Sequence, residues 1–254
     1  NMVDEFGGLQ WVGDDDLLFW AGPNYKLPSL PATDLFRYHR GTATLSNLSN
    51  SGADLAAPWS GGTLEWDGGW RSPNGRYLYM LLDGGGQGTS LHVLDLQTFT
   101  MLRMSPLGVD ITGAESQLDD DFASVGKNLV TFVGTKLAQT PVVEDVFVFD
   151  QQTGDPTSLK QLTQHQASGT SGVYVTHLRL SPDQAYVSYT YGSSSKETDG
   201  ARVLAISPTA GGAAKVLDAT SQTIDESYTW TPGSDAVIYA AGNQDGQYTL
   251  LRAD

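Results

Sequence analysis

One short phrase, a Ser-Pro turn followed by an alternating strand, constrains the fold of this chain more than any other feature. It is clearest at Ser181-Pro182-Asp183, and copies of it begin at positions 12, 72, 124, 181 and 231, with spacings of 60, 52, 57 and 50 residues. Proline restricts φ and starts a turn, and the residues after it tolerate the left-handed conformation that the turn needs. A period above about 40 residues, with several strands in each unit, is typical of β-propeller blades.

The rest of each unit supports this interpretation. A third strand is predicted at 35–38, 91–94, 146–149, 203–206 and 248–251, and a short fourth strand at 44–46, 101–104, 159–162 and 214–217. We therefore predict an all-β fold, a single β-propeller domain of about five four-stranded blades, the last without its outer strand. The predicted blades cover residues 9–58, 59–108, 109–163, 164–219 and 220–254. Both a closed five-bladed ring and part of a larger propeller fit this pattern.

Two of the copies carry a recognisable family phrase. Ser72-Pro73-Asn74-Gly75 and Ser181-Pro182-Asp183-Gln184 keep it best, and Thr231-Pro232-Gly233 keeps it more weakly. The phrase resembles that of the PD40, or TolB-like, family of β-propeller repeats. The resemblance implies the fold, but no single activity, because the family includes binding scaffolds, accessory domains of enzymes and envelope components.

Charge and composition narrow the class of partner. The chain has a net charge of -15 at pH 7 and contains no cysteine. Phosphate backbones and anionic membrane surfaces repel such a protein, so we expect no nucleic-acid partner. No apolar run approaches the length of a membrane span, about 20 residues. A protein partner with a basic surface or peptide is the natural complement, and we expect a bacterial, extracytoplasmic protein (periplasmic, secreted or at the cell surface).

The candidate site residues lie just before the turn phrases. In propellers the first strand of each blade lines the central channel, and the segment entering that strand lies at the channel mouth. The residues predicted there are Asp67, Asp119, Asp120, Asp121, His177, Asp225 and Glu226. Carboxylates from several blades would form an acidic mouth that binds a basic peptide, or Ca²⁺ at Asp67, Asp119 and Glu226, since Ca²⁺ takes oxygen ligands. Solvated acidic residues are the plainer interpretation, and no cofactor is required.

Three classes of function remain open. The leading hypothesis is a non-catalytic binding or scaffold propeller that works through protein contacts. The alternative enzyme is a glycoside hydrolase that uses Asp67, Asp119 and Glu226, and it requires two carboxyl groups about 5 to 9 Å apart. A structural subunit of a larger extracytoplasmic assembly is the third. The sequence contains no Gly-x-Ser-x-Gly nucleophile elbow, so the hydrolase part of a prolyl-oligopeptidase-type enzyme is missing.

Overall fold

The computed structural model describes residues 9–21, 34–49, 65–83, 88–111, 123–137, 139–193, 202–219, 223–224, 228–242 and 248–254. Within these ranges the chain forms β-strands and one short 3₁₀ turn, Pro156–Ser158. None of the described segments is a helix long and apolar enough to cross a membrane. The chain divides into two compact units, Asn1–Asp110 with Ala114–Gln117, and Ile111–Gly113 with Leu118–Asp254.

Two antiparallel sheets build the first unit, and in each the four strands follow one another in chain order. The first sheet consists of β1 (Leu9–Val12), β2 (Asp16–Ala21), β3 (Asp34–His39) and β4 (Thr44–Asn47). The second consists of β5 (Glu65–Arg71), β6 (Tyr77–Asp83), β7 (Thr89–Asp95) and β8 (Thr100–Arg103).

Three further sheets follow along the chain. The third contains β9 (Val109–Ile111), β10 (Ala123–Val125), β11 (Leu129–Lys136), β12 (Glu144–Asp150) and β13 (Lys160–Gln161). The fourth contains β14 (Tyr174–Leu180), β15 (Tyr186–Gly192), β16 (Val203–Pro208) and β17 (Lys215–Asp218). The fifth contains β18 (Thr223–Ile224), β19 (Thr229–Trp230), β20 (Val237–Gly242) and β21 (Tyr248–Ala253). The predicted third and fourth strands are thus confirmed.

Side-chain hydrogen bonds hold the Ser-Pro turns in shape. The Ser181 hydroxyl donates to Asp183 Oδ1 at 2.6 Å and accepts from the Tyr186 backbone N–H at 3.0 Å. Ser72 makes the same pair of bonds in the second sheet, to Asn74 and from Tyr77. Because the serine closes the turn on both sides, the two strands that it joins are held in a fixed register.

The turn of the first sheet is one residue shorter than those of the second, fourth and fifth sheets. Residues 13–15 separate the paired Val12 and Asp16. Residues 73–76 separate Ser72 from Tyr77, whose carbonyl accepts from the Ser72 N–H. An ungapped alignment of positions 12 and 72 is therefore wrong by one after the turn, and a one-residue slip exchanges the two faces of a strand. The equivalents of Leu78 and Met80 in the second sheet are Leu17 and Phe19 in the first.

The hydrophobic core lies between neighbouring sheets rather than within one. In the first unit, Leu18 and Leu35 of the first sheet pack against Leu78 and Met80 of the second. In the second unit the fourth sheet is covered on both faces. Tyr189 packs with residues of the third sheet, and Leu204 packs with residues of the fifth. A β-propeller is built in this way: each blade is an antiparallel sheet whose strands follow chain order, and neighbouring blades pack face to face.

Candidate functional site

The first strand of a sheet is interrupted at the same position in three of the five repeats. The pairing register of β5 shifts between Trp66 and Gly68, and that of β14 shifts between Thr176 and Arg179. In the fifth sheet β18 ends at Ile224 and β19 starts only at Thr229. Bulges of this kind re-aim side chains and are common beside functional sites.

These interruptions coincide with the residues that the sequence singles out. Asp67, Asp119, Thr176 and Glu226 each lie five residues before the start of a turn phrase. Asp67 is in the β5 bulge, although its side chain lies outside the described part of the structure. Asp119, Asp120, Asp121, Asp225 and Glu226 lie outside the described residues. His177, in the β14 bulge, is the predicted residue whose surroundings are described.

His177 has a backbone conformation that is unusual for its residue type. Its φ is 57°, in the left-handed region, and the residue is only 1% exposed. Its Nδ1 lies 3.1 Å from the Thr176 hydroxyl and 3.2 Å from the Thr190 hydroxyl. The two threonine hydroxyls are themselves 3.0 Å apart. A left-handed, buried, non-glycine residue persists only where its surroundings hold it in place.

Two residues that the sequence does not single out complete this network. The Arg202 guanidinium, on a residue only 4% exposed, donates to the Thr176 hydroxyl at 2.8 Å. The Tyr228 hydroxyl, from the fifth sheet's segment of chain, donates to the His177 carbonyl. This bond links the residue that precedes β19 to the bulge of the fourth sheet, and along the sequence Tyr228 is two residues beyond Glu226.

We call Thr176, His177, Thr190, Arg202 and Tyr228 the His177 cluster. It joins the start of β14, the end of β15 and the residue before β16 to the segment that enters β19. Its groups are two hydroxyls, an imidazole, a guanidinium and a phenol, all on residues that are 4% exposed or less, and together they hold backbone segments in place. Tyr228 could not be predicted because its role depends on how two sheets stack, and Arg202 could not because its partner Thr176 lies 26 residues away along the chain. The only sequence signal is the adjacent Thr176-His177 pair.

The metal and enzyme hypotheses keep the status of predictions. Among the described residues, no group of three histidine or acidic side chains is placed to hold a metal ion. The three carboxyl groups named for calcium or for glycoside hydrolysis, those of Asp67, Asp119 and Glu226, lie outside the described side chains. The distances between these three carboxyl groups therefore stay a prediction.

Comparison with known proteins shows solved structures with a similar fold. No protein-family model and no curated protein matches the chain. Among solved structures, the dipeptidyl peptidase 4 of Porphyromonas gingivalis is 10% identical, with a TM-score of 0.51 over 94% of this chain and 37% of that one. The oligogalacturonate lyase of Vibrio parahaemolyticus is 14% identical (TM-score 0.47; 94% and 59% covered), and TolB of Acinetobacter baumannii is 16% identical (0.35; 94% and 52%).

The chain spans between 37% and 59% of the length of these three proteins. Identities this low carry no information about activity, substrate or partner. The stacked antiparallel sheets, the recurring Ser-Pro turns and the likeness in fold agree with one another. The chain therefore has the β-propeller fold that its resemblance to TolB-like PD40 repeats predicts.

Proposed function

We propose that this chain is a β-propeller binding domain that recognises a basic segment of a protein partner. The recognition surface would lie where the first strands of the blades are interrupted, and the acidic residues before the turn phrases would make the contact. Binding rather than turnover is the proposed activity, and an extracytoplasmic location belongs to the same proposal.

The His177 cluster is the observation that carries this proposal. A cross-sheet bond from Tyr228 and a bond from Arg202 within the fourth sheet hold a buried bulge whose central residue has a φ of 57°. Backbone strain of this kind is typical of functional sites, where it fixes geometry in advance of binding. A binding segment that is already held in place loses less conformational entropy when a partner docks. Glu226 and Asp225 lie two and three residues before Tyr228 in the sequence.

Charge determines the class of partner in this proposal. Asp67, Asp119 and Glu226 occupy the same position in three repeats, and the whole chain has a net charge of -15. Carboxylates repeated at one position attract lysine and arginine, and they speed the encounter with a basic surface at low ionic strength.

A peptide-binding experiment tests the proposal. Fluorescent oligolysine and oligoglutamate peptides are titrated with the protein, and binding is followed by fluorescence anisotropy. We expect oligolysine to bind and oligoglutamate not to bind. In the double variant Asp225→Asn/Glu226→Gln the affinity for oligolysine should fall about tenfold, which corresponds to about 1.4 kcal/mol.

The matched control removes the same amount of charge elsewhere. Asp14→Asn/Asp15→Asn neutralises two exposed carboxylates in the turn of the first sheet. This variant should bind oligolysine as tightly as the unmodified protein. An equal loss of affinity in both double variants would mean that oligolysine responds only to overall charge, and the proposed site would be wrong.

A turnover assay addresses the rival function. Polysaccharides are incubated with the protein, and released reducing sugar is measured. On the binding proposal no sugar is released. If sugar is released and the release disappears in Glu226→Gln, the protein is a glycoside hydrolase and the binding proposal is wrong. An amide cannot act as the general acid or base that a carboxyl group provides in that reaction.

A further inference from the structure

One turn of the second sheet contains the only Asn-Gly pair in the sequence, Asn74-Gly75. An asparagine followed by glycine deamidates readily, because glycine has no side chain to shield the backbone nitrogen that attacks the carboxamide. Both residues are exposed, and a Cβ placed on Gly75 would meet nothing within 4 Å. Access of water therefore places no limit on the reaction at this pair.

Deamidation of this pair needs no reagent other than water. The backbone nitrogen of Gly75 loses its proton and forms a bond to Cγ of Asn74, while the bond from Cγ to the amide nitrogen breaks. The amide nitrogen takes up the proton and leaves as ammonia, and a succinimide ring remains. Water then opens the ring at one of its two carbonyl groups, which yields either aspartate or isoaspartate at position 74.

The native turn engages both reacting groups in hydrogen bonds. The carboxamide oxygen Oδ1 of Asn74 accepts from the Ser72 hydroxyl at 2.7 Å and from the Arg76 backbone N–H at 3.0 Å. The Gly75 N–H, which must lose its proton, donates to the Ser72 carbonyl at 2.8 Å. Ring closure needs this proton and a carboxamide that is free to rotate, so it competes with all three bonds.

The turn of the fourth sheet has the same bonds around a carboxylate. Asp183 occupies the position of Asn74, and its Oδ1 accepts from the Ser181 hydroxyl at 2.6 Å and from the Ala185 N–H at 3.0 Å. These bonds, the one from Ser181 foremost, lower the pKa of Asp183. A turn of this geometry therefore accommodates aspartate. Isoaspartate adds a carbon atom to the main chain and breaks the spacing between the two strands.

We propose that Asn74-Gly75 is a latent site of spontaneous deamidation, which the turn keeps unreactive in the folded protein and which reacts where the turn opens. Ser72 is the controlling residue, because its hydroxyl holds the carboxamide and its carbonyl holds the Gly75 N–H. Opening of this turn then leaves an irreversible chemical mark on the chain. The proposal goes beyond the proposed function and shares no residue with the His177 cluster.

Mass spectrometry of the tryptic peptide 72–76 tests the proposal. Trypsin releases this peptide by cleavage after Arg71 and Arg76, and chromatography separates its asparagine, aspartate and isoaspartate forms. Folded protein and protein unfolded in guanidinium chloride are incubated at the same mildly alkaline pH. Deamidation should be about tenfold slower or more in the folded protein, because opening the turn breaks several hydrogen bonds. Equal rates would overturn the proposal.

Two serine variants test the role assigned to Ser72. Ser72→Ala removes one of the bonds to the carboxamide and should raise the deamidation rate of the folded protein about fivefold. Ser181→Ala is the matched control, because it removes the same hydroxyl from a turn without an Asn-Gly pair. This control should deamidate at position 74 as slowly as the unmodified protein.

The outcomes of the two variants separate local from global opening. No rise in Ser72→Ala, or an equal rise in both variants, would mean that the turn does not control the reaction, and the proposal would be wrong. Circular dichroism confirms that each variant is folded. If Ser72→Ala does not fold, the comparison of folded with unfolded unmodified protein decides the proposal by itself.

Discussion

At the scale of single residues, His177 carries the most informative conformation. A φ of 57° places Cβ of an L-residue close to its own backbone, and the penalty is about 1 kcal/mol relative to glycine. Here the Tyr228 hydroxyl holds the carbonyl of this residue, while Thr176 and Thr190 face its ring. The conformation is thus maintained from outside the residue, by contacts on two sheets.

This conformation predicts a difference between two substitutions. His177→Ala and His177→Gly both remove the imidazole, but only alanine retains Cβ at the left-handed position. The free energy of unfolding of His177→Ala should therefore be about 1 kcal/mol lower than that of His177→Gly. Urea denaturation of the two variants measures the difference. Equal unfolding free energies would show that the left-handed conformation contributes no strain.

A second residue, His92, predicts how stability depends on pH. It is 1% exposed, and burial, with a smaller contribution from Arg103, lowers its pKa from 6.5 to about 3. The unfolded chain therefore binds the proton more readily than the folded one. The stabilisation from neutral His92 is complete above pH 6.5 and is lost as the pH falls towards 3. Between pH 6.5 and pH 4.5 the loss is about 2–3 kcal/mol.

The variant His92→Gln isolates this contribution, because its side chain does not titrate. Urea denaturation of both proteins at the two pH values gives four unfolding free energies. The decrease on acidification should be smaller in His92→Gln by the stated amount, since the carboxylates titrate alike in both proteins. The same decrease in both would mean that His92 takes up no proton on unfolding.

At the scale of elements, the turns connect one sheet to the next. Gln184, at the left-handed position of its turn with a φ of 60°, accepts through Oε1 from the backbone N–H groups of Asn128 and Leu129 in the third sheet. Ser234 holds the same position in the fifth sheet, with a φ of 61°, and accepts from the Asp183 N–H. The side chain at the left-handed position of one turn therefore forms a hydrogen bond with the turn of the preceding sheet.

Shortening this side chain should weaken the contact between the third and fourth sheets. Gln184→Asn keeps a residue type that tolerates the left-handed region but withdraws the carbonyl by one methylene. The loss of its two hydrogen bonds should lower the free energy of unfolding by about 1 kcal/mol, because water partly replaces the acceptor. Gln97→Asn, in an exposed turn of the second sheet, should leave it unchanged. Equal urea midpoints for the two variants would contradict this role of Gln184.

The turns also show how much of the fold a sequence contains. Ser181-Pro182-Asp183 and Ser72-Pro73-Asn74 were sufficient to predict the strands on either side, because proline, serine and the carboxyl or amide act within the turn. The shorter turn at 13–15 contains no proline, so the sequence did not reveal its length. The ungapped alignment of positions 12 and 72 was therefore wrong by one residue after the turn. Contacts such as Gln184 to Asn128 depend on how sheets stack, which local pattern does not specify.

At the scale of the whole molecule, the sequence singled out one position in each repeat, and the role of that position as a binding site stays a prediction. The repeat marked one position in each blade, and in the second, fourth and fifth sheets the first strand is interrupted there. His177 was predicted from this register alone. Arg202 and Tyr228 were not, because the partners in a buried hydrogen-bond network are far apart along the chain and follow no periodicity.

Net charge is the last property of the whole chain that leads to a measurable outcome. At pH 7 the charge of -15 repels itself more strongly in the compact state than in the unfolded chain. Raising NaCl from about 0.01 to about 0.1 M shortens the screening length from about 30 to about 10 Å. The free energy of unfolding, measured with urea, should rise with this salt step. The exposed ion pairs oppose the rise only weakly, because each contributes about 0–1 kcal/mol.

At a pH near the isoelectric point, about 4.4, the same step should have almost no effect, since the net charge is then close to zero. An equal rise at both pH values would exclude self-repulsion as its cause.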